Sequence, residues 1–206
     1  VLIRTSLIGA ISVTEGALRL MLVGKETLAL GSMAQALRGE GHAVVEQCRI
    51  SGQLLPILRS SQADLLMVQT EFPGRVLLDA LARIQRELAR PVILFAERSD
   101  SVAIRRAIAV GVSAYLVGGV QAHRLAAVIE VCLARFQMQD ALRRDLQDVC
   151  NQLADARDVE KAKGLLMKSR AVDEHEALNT LRKMATDRQQ PLGDFARSVL
   201  LVASTL

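Results

Sequence analysis

The sequence predicts an α/β fold, a doubly wound five-stranded parallel sheet, followed by a long coiled-coil helix and a compact all-α module of three helices. Three observations carry that reading. From Ala17 to about residue 120, short apolar runs alternate with longer stretches of helical period, the pattern of repeated βα units. From Gln121 to Lys163 no Pro or Gly interrupts the chain, and apolar residues recur at helical spacing. Beyond that, a turn at Ser169 to Val172 and the segment Pro191-Leu192-Gly193 divide the remainder into helical pieces.

Strands are expected at Leu18 to Val23, Ala43 to Cys48, Asp64 to Val68, Val92 to Phe95 and Ala114 to Val117. Most are continuous apolar runs, as strands covered by helices on both faces should be. Helices fall between them at about Leu28 to Arg38, Gln53 to Arg59, Arg75 to Leu88 and Val102 to Ala109, with Gly41, Pro73-Gly74, Pro91 and Gly111 marking the connections. The domain order expected is an N-terminal extension at 1–16, the sheet domain at 17–120, a linker helix at 121–156 and the helical module at 157–206. Residues 1–16 read as a disordered tail or the product of an upstream start. The apolar stretch Leu7 to Val13 has only Arg4 before it and Thr14-Glu15 rather than a small-residue cleavage motif after it, so a signal peptide is not expected.

In the long helix, Leu142, Leu146, Val149, Leu153 and Ala156 step by four and three, a heptad seam. Leu125, Val128 and Cys132 follow an earlier register, which places a stutter near Phe136. A single helix folded back on its own domain would also be amphipathic. The charged flanks Arg143, Arg144, Asp145, Asp148 and Asp155 leave the narrow stripe of a dimer seam, so a homodimer is expected. The helix continues through Val159, Ala162 and Leu166. Asp173 with Glu176 forms an N-terminal capping pair for a helix carrying Ala177, Leu178, Leu181 and Met184, and a last helix buries Phe195, Ala196, Val199 and Leu200.

Composition narrows the chemistry. With 4 Phe, 1 Tyr and no Trp, the chain lacks the aromatic residues on which base-stacking sheets and OB barrels depend. A net charge of +4 permits an anionic partner without requiring one. Cys48, Cys132 and Cys150 are scattered and odd in number, as are His42, His123 and His175, so neither a disulfide framework nor a metal or cofactor site is expected. A reducing cytoplasm is the expected home. No apolar run approaches the roughly 20 residues of a membrane span. There is no P-loop, GxGxxG, GxSxG or Ser/His/Asp spacing, and enzymatic activity is not expected.

The loop after the third strand, Gln69-Thr70-Glu71-Phe72-Pro73-Gly74, resembles the response-regulator receiver motif, in which a phosphorylatable Asp precedes Pro by four residues. The resemblance implies a receiver-like, flavodoxin-like sheet with Gln69 at the degenerate phosphoacceptor position. It puts Gly24 and Lys25 where the metal-binding acids belong, Ala96 at the switch hydroxyl and Gly118 at the lysine. An amide cannot attack a phosphoryl donor, and an ammonium opposes Mg²⁺. Glu26 and Glu71 are the nearby carboxylates, more at home as solvated side chains than as ligands.

The string Arg157-Asp158-Val159-Glu160-Lys161-Ala162-Lys163-Gly164-Leu165-Leu166-Met167-Lys168, followed by Ala177, Leu181-Arg182, Ala185 and Ala196, resembles the ANTAR domain of AmiR/NasT-type transcription antiterminators. The segment from Gly111 to Leu125 and Ala134-Arg135-Phe136 resemble the nitrate-assimilation branch, the NasT-like regulators. The resemblance implies binding to hairpins of a leader mRNA and control by a cytoplasmic nitrate- or nitrite-sensing inhibitor protein. Lys161, Lys163, Lys168 and Arg170 form a basic stretch free of acids, to which Arg182, Lys183 and Arg188 add charge. Charge alone fits an ordinary solvated face; the resemblance assigns these residues to RNA, Lys163 and Arg182 above all. Two other classes compete. A DNA-binding response regulator should carry a recognition helix, yet the last helix offers only Arg197; an adaptor would use the degenerate receiver as a docking surface.

Overall fold

The structure is a computed structural model that describes residues 16–25, 27–118 and 122–203. The expected extension at 1–16 lies, apart from Gly16, outside the described residues. The elements run β1 (Arg19–Val23), α1 (Thr27–Gly39), β2 (Ala43–Cys48), α2 (Leu54–Ser61), β3 (Leu65–Thr70), α3 (Arg75–Glu87), β4 (Val92–Ala96), α4 (Ser101–Ala109) and β5 (Ala114–Val117). After a single 3-10 turn at Ala122–Arg124 come α5 (Leu125–Arg170), α6 (Glu174–Asp187) and α7 (Leu192–Ala203). Contacts divide the chain into two compact units, Val1–Met138 and Gln139–Leu206, both of which include part of α5.

The five strands pair in the order β2-β1-β3-β4-β5, every pair parallel, with the crossovers of a doubly wound sheet. Alternation along each strand sends side chains to opposite faces. Met21, Val23, Leu66, Val68, Val92 and Leu94 pack with Leu54, Leu58, Leu77, Leu81 and Ile84 of α2 and α3. Leu20, Leu22, Leu65, Met67, Ile93 and Phe95 pack on the other face with Leu30, Ala34 and Leu37 of α1 and with Leu125, Ile129, Cys132 and Leu133 of α5. The first turns of α5, which continuity of period assigned to the linker helix, therefore complete the core of the sheet domain.

Strand ends depart from the sequence reading for local reasons. Leu18 and Asp64 fall outside the strands, because the Leu18 N–H donates to His42 Nδ1 at 3.4 Å and the Arg19 N–H to Asp64 Oδ2 at 2.9 Å. Strand β3 instead runs on to Thr70, pairing Gln69 with Phe95 and Thr70 with Ala96. Helix α4 begins one residue early, where Asp100 Oδ1 accepts the Ala103 N–H at 2.6 Å.

Helix α5 passes Phe136 as continuous α-helix. Every residue from 141 to 154 is exposed, among them the apolar Leu142 (60%), Leu146 (58%), Val149 (52%) and Leu153 (64%). The second unit closes on Ala162, Leu181, Ala185, Phe195 and Ala196, with Val159, Leu166, Met184, Leu192, Val199 and Leu200 packed around them. Asp173 caps α6, its Oδ1 accepting the Glu176 N–H at 2.8 Å.

Candidate nucleic-acid interface

The basic residues of the second unit differ in setting. Lys161 is exposed on α5, and Lys168 and Arg170 stand exposed in its last turn, where cations complement the carbonyl end of a helix. Arg182 and Lys183 are exposed on α6, because Leu181 and Ala185 turn the opposite side inward. Arg188 ends α6 with its guanidinium 5.3 Å from the Phe195 ring centroid, a cation–π contact that holds it against the core. Among the described residues, none of these six enters an ion pair.

Lys163 is placed otherwise. Its residue is 8% exposed, and its Nζ donates to Glu160 Oε1 at 2.8 Å and to Glu174 Oε1 at 2.7 Å. Hydrogen bonds to Glu160 and then Glu174 hold the ammonium above the ordinary lysine pKa, and the same bond from Lys163 holds the Glu174 carboxyl below its ordinary value. The Glu160 partner, three residues back on one helix, is legible in sequence; Glu174 becomes a partner only through the turn that returns α6.

Arg197 is likewise engaged. It reaches Asp155 at 2.7 Å, Asp158 at 3.2 Å and Asp194 at 3.2 Å, fastening α7 to α5. Hydrogen bonding to Asp158 holds its pKa above the ordinary arginine value. The cation that a base-reading α7 would have used is committed to three carboxylates.

At the carboxyl ends of the strands, the residues do not fit the Mg²⁺ that receivers hold. Gly24 offers no side-chain oxygen, and the tip of the Leu30 side chain lies 2.9 Å from where a Cβ would be. Lys25 is exposed beside it, and Glu71 is ion-paired with Arg98. That pair extends the β3–β4 ladder past the strands, with the Glu97 N–H donating to Thr70 O at 3.0 Å and the Arg98 N–H to Glu71 O at 2.9 Å. Gln69, which the receiver resemblance puts at the phosphoacceptor position, has its Oε1 buried and without a hydrogen-bond partner among the described residues. Glu26 lies outside the described residues. Burial raises the Cys48 thiol to about 11 and the Cys132 thiol to about 12, well above the range of reactive thiols.

Residues 147–200 match the ANTAR domain family. Fold and match together give a receiver-like, flavodoxin-like α/β domain followed by a long helix and a region that matches the ANTAR domain. Over 187 residues, 91% of each chain, the sequence is 26% identical to the transcriptional regulatory protein PdtaR of Mycobacterium tuberculosis. The signal receiver domain of a modulated diguanylate cyclase from Desulfovibrio desulfuricans G20 superposes with a TM-score of 0.50 at 21% identity, over 59% of this chain and 98% of that one. A LuxR-family two-component response regulator from Aurantimonas sp. SI85-9A1 gives 0.51 at 24% identity, over 58% and 86%. These likenesses concern the sheet fold alone. Among the described residues no helix is long and apolar enough to cross a membrane.

Proposed function

We propose that the chain is an RNA-binding transcription antitermination regulator that engages hairpins of a leader mRNA through its ANTAR module. The observation that carries the reading is the ANTAR match over residues 147–200, on a module whose Lys161, Lys168, Arg170, Arg182, Lys183 and Arg188 present cations that no carboxylate among the described residues takes up. Free cations on one small module neutralise phosphates and release counterions, which supplies sequence-independent affinity. A DNA-reading α7 is disfavoured by the engagement of Arg197 with three Asp residues.

Gln69, Gly24, Lys25 and Ala96 leave no route to a phosphoryl switch, so control falls to a protein. In this reading the regulator is cytoplasmic and belongs to a nitrate or nitrite assimilation operon, and a sensor of that ion sequesters it. The exposed Leu142, Leu146, Val149 and Leu153, with Ala156, form the seam of a homodimer, and two copies suit paired hairpins. The test is a gel shift with tandem-hairpin RNA and with duplex DNA across a salt series. Arg182→Ala is expected to weaken RNA binding at every loop sequence and to flatten the slope of log affinity on log salt by about 0.7 to 0.9. Wild-type affinity and slope in that variant would remove Arg182 from the surface, and equal affinity for duplex DNA would remove the RNA reading.

A further inference from the structure

We propose that Lys163 is a positioning residue: it ties the end of α5 to the start of α6, and so sets the spacing between the cations at Lys168 and Arg170 and those at Arg182 and Lys183, without touching RNA. The inference rests on the RNA-binding reading above. Lys163 is the one charged residue that is buried among the described residues. Its side chain is 10% exposed, and its Nζ sits between Glu160, 2.7 Å away on its own helix, and Glu174, 2.7 Å away in the first turn of α6.

The geometry gives the tie its consequence. Only residues 171–173 separate α5 from α6, and Ala171 holds a φ of +55°, the left-handed conformation that ends many helices and that non-glycine residues adopt less readily than glycine. Rotation in that turn would swing α6, and Arg182 with it, relative to Lys168 and Arg170. The Lys163–Glu174 contact bridges the turn and restricts that swing. The carboxylates of Glu160 and Glu174, with side chains 68% and 71% exposed, turn a phosphate away from this ammonium. The free cations further along α5 and on α6 carry no such guard.

The test uses the full chain and a tandem stem-loop RNA whose loops have been selected by the wild-type protein from a random pool. Lys163→Met, which keeps the apolar stem, and Glu174→Gln, which removes only the partner's charge, are each expected to lower affinity several-fold without changing the salt slope; Lys163→Arg restores binding. A phosphate-contacting Lys163 would instead flatten the slope in Lys163→Met by about 0.7 to 0.9, and Glu174→Gln would then tighten binding. Either result overturns the proposal, as does unchanged affinity in both variants. A second measurement needs no RNA: the distance between spin labels at positions 168 and 183, on a Cys150→Ser background diluted with unlabelled chain. The distribution is expected to broaden in Lys163→Met and Glu174→Gln and to stay narrow in Lys163→Arg. A narrow distribution throughout would refute the tie, whereas a wild-type chain that selects no RNA would refute the RNA-binding reading and leave the tie to the labels.

Discussion

A methyl group added at Gly193 would sit 2.3 Å from Asp155 Cγ and 2.6 Å from its Cβ, and a Cβ cannot be swung aside as a side-chain tip can. Helix α7 therefore approaches α5 closely where its residue lacks a side chain, and that approach brings Arg197 onto Asp155 and Asp158. Gly193→Ala gains about 1 kcal/mol in helix propensity. Overpacking of this kind costs about 1 to 3 kcal/mol. A net loss of stability is expected, read as a lower urea midpoint for the variant; a midpoint at or above wild type would show that α7 can move away without cost. Residue identity made part of this level legible, since Gln69, Lys25 and Ala96 can be read against the receiver pattern from the sequence alone. It did not reveal that the Leu30 side chain packs against Gly24, or that Lys163 has Glu174 as a second partner, because both depend on contacts made across turns.

Helix α5 does three things in succession. Its first turns bury Leu125, Ile129 and Cys132 against the sheet, its middle is exposed from 141 to 154, and its end supplies Ala162 to the helical core. An uninterrupted period in sequence cannot mark where a helix leaves one core for another, which is why the linker was expected to begin at residue 121. The exposed middle gives a direct expectation: replacing Leu146 and Leu153 by Gln shifts sedimentation toward the monomer while the circular dichroism of the folded chain survives. A mass unchanged from wild type would remove the seam. The junction of α5 with α6 gives a second. Glu174 has its carboxyl pKa lowered in the folded chain, so the stability it contributes is full above the ordinary value of 4.5 and is lost as pH falls through the lowered one. Unfolding followed over that acid range is expected to show a smaller loss of stability in Glu174→Gln than in wild type; identical pH profiles would show that the contact contributes nothing to folding.

At the scale of the whole chain, the two units divide the work the sequence needs done. The sheet domain has the fold of a receiver, and the carboxyl ends of its strands carry Gln69, Lys25 and the Leu30 side chain beside Gly24. The ANTAR-matching module carries exposed cations around a core of Ala162, Leu181, Phe195 and Ala196. Fold class was legible because apolar periodicity is a whole-element signal, summed over many side chains; the interface was legible only as charge, and needed the geometry to separate free cations from engaged ones. The central claim is that this module acts on a transcript, and readthrough of a reconstituted terminator preceded by the selected tandem hairpins measures it. The chain alone, with polymerase and template, is expected to raise the fraction of full-length transcript in proportion to hairpin occupancy, with the effect lost when the hairpins are unpaired by mutation and restored when pairing is restored. Termination that stays constant at protein concentrations saturating the hairpin RNA would contradict it.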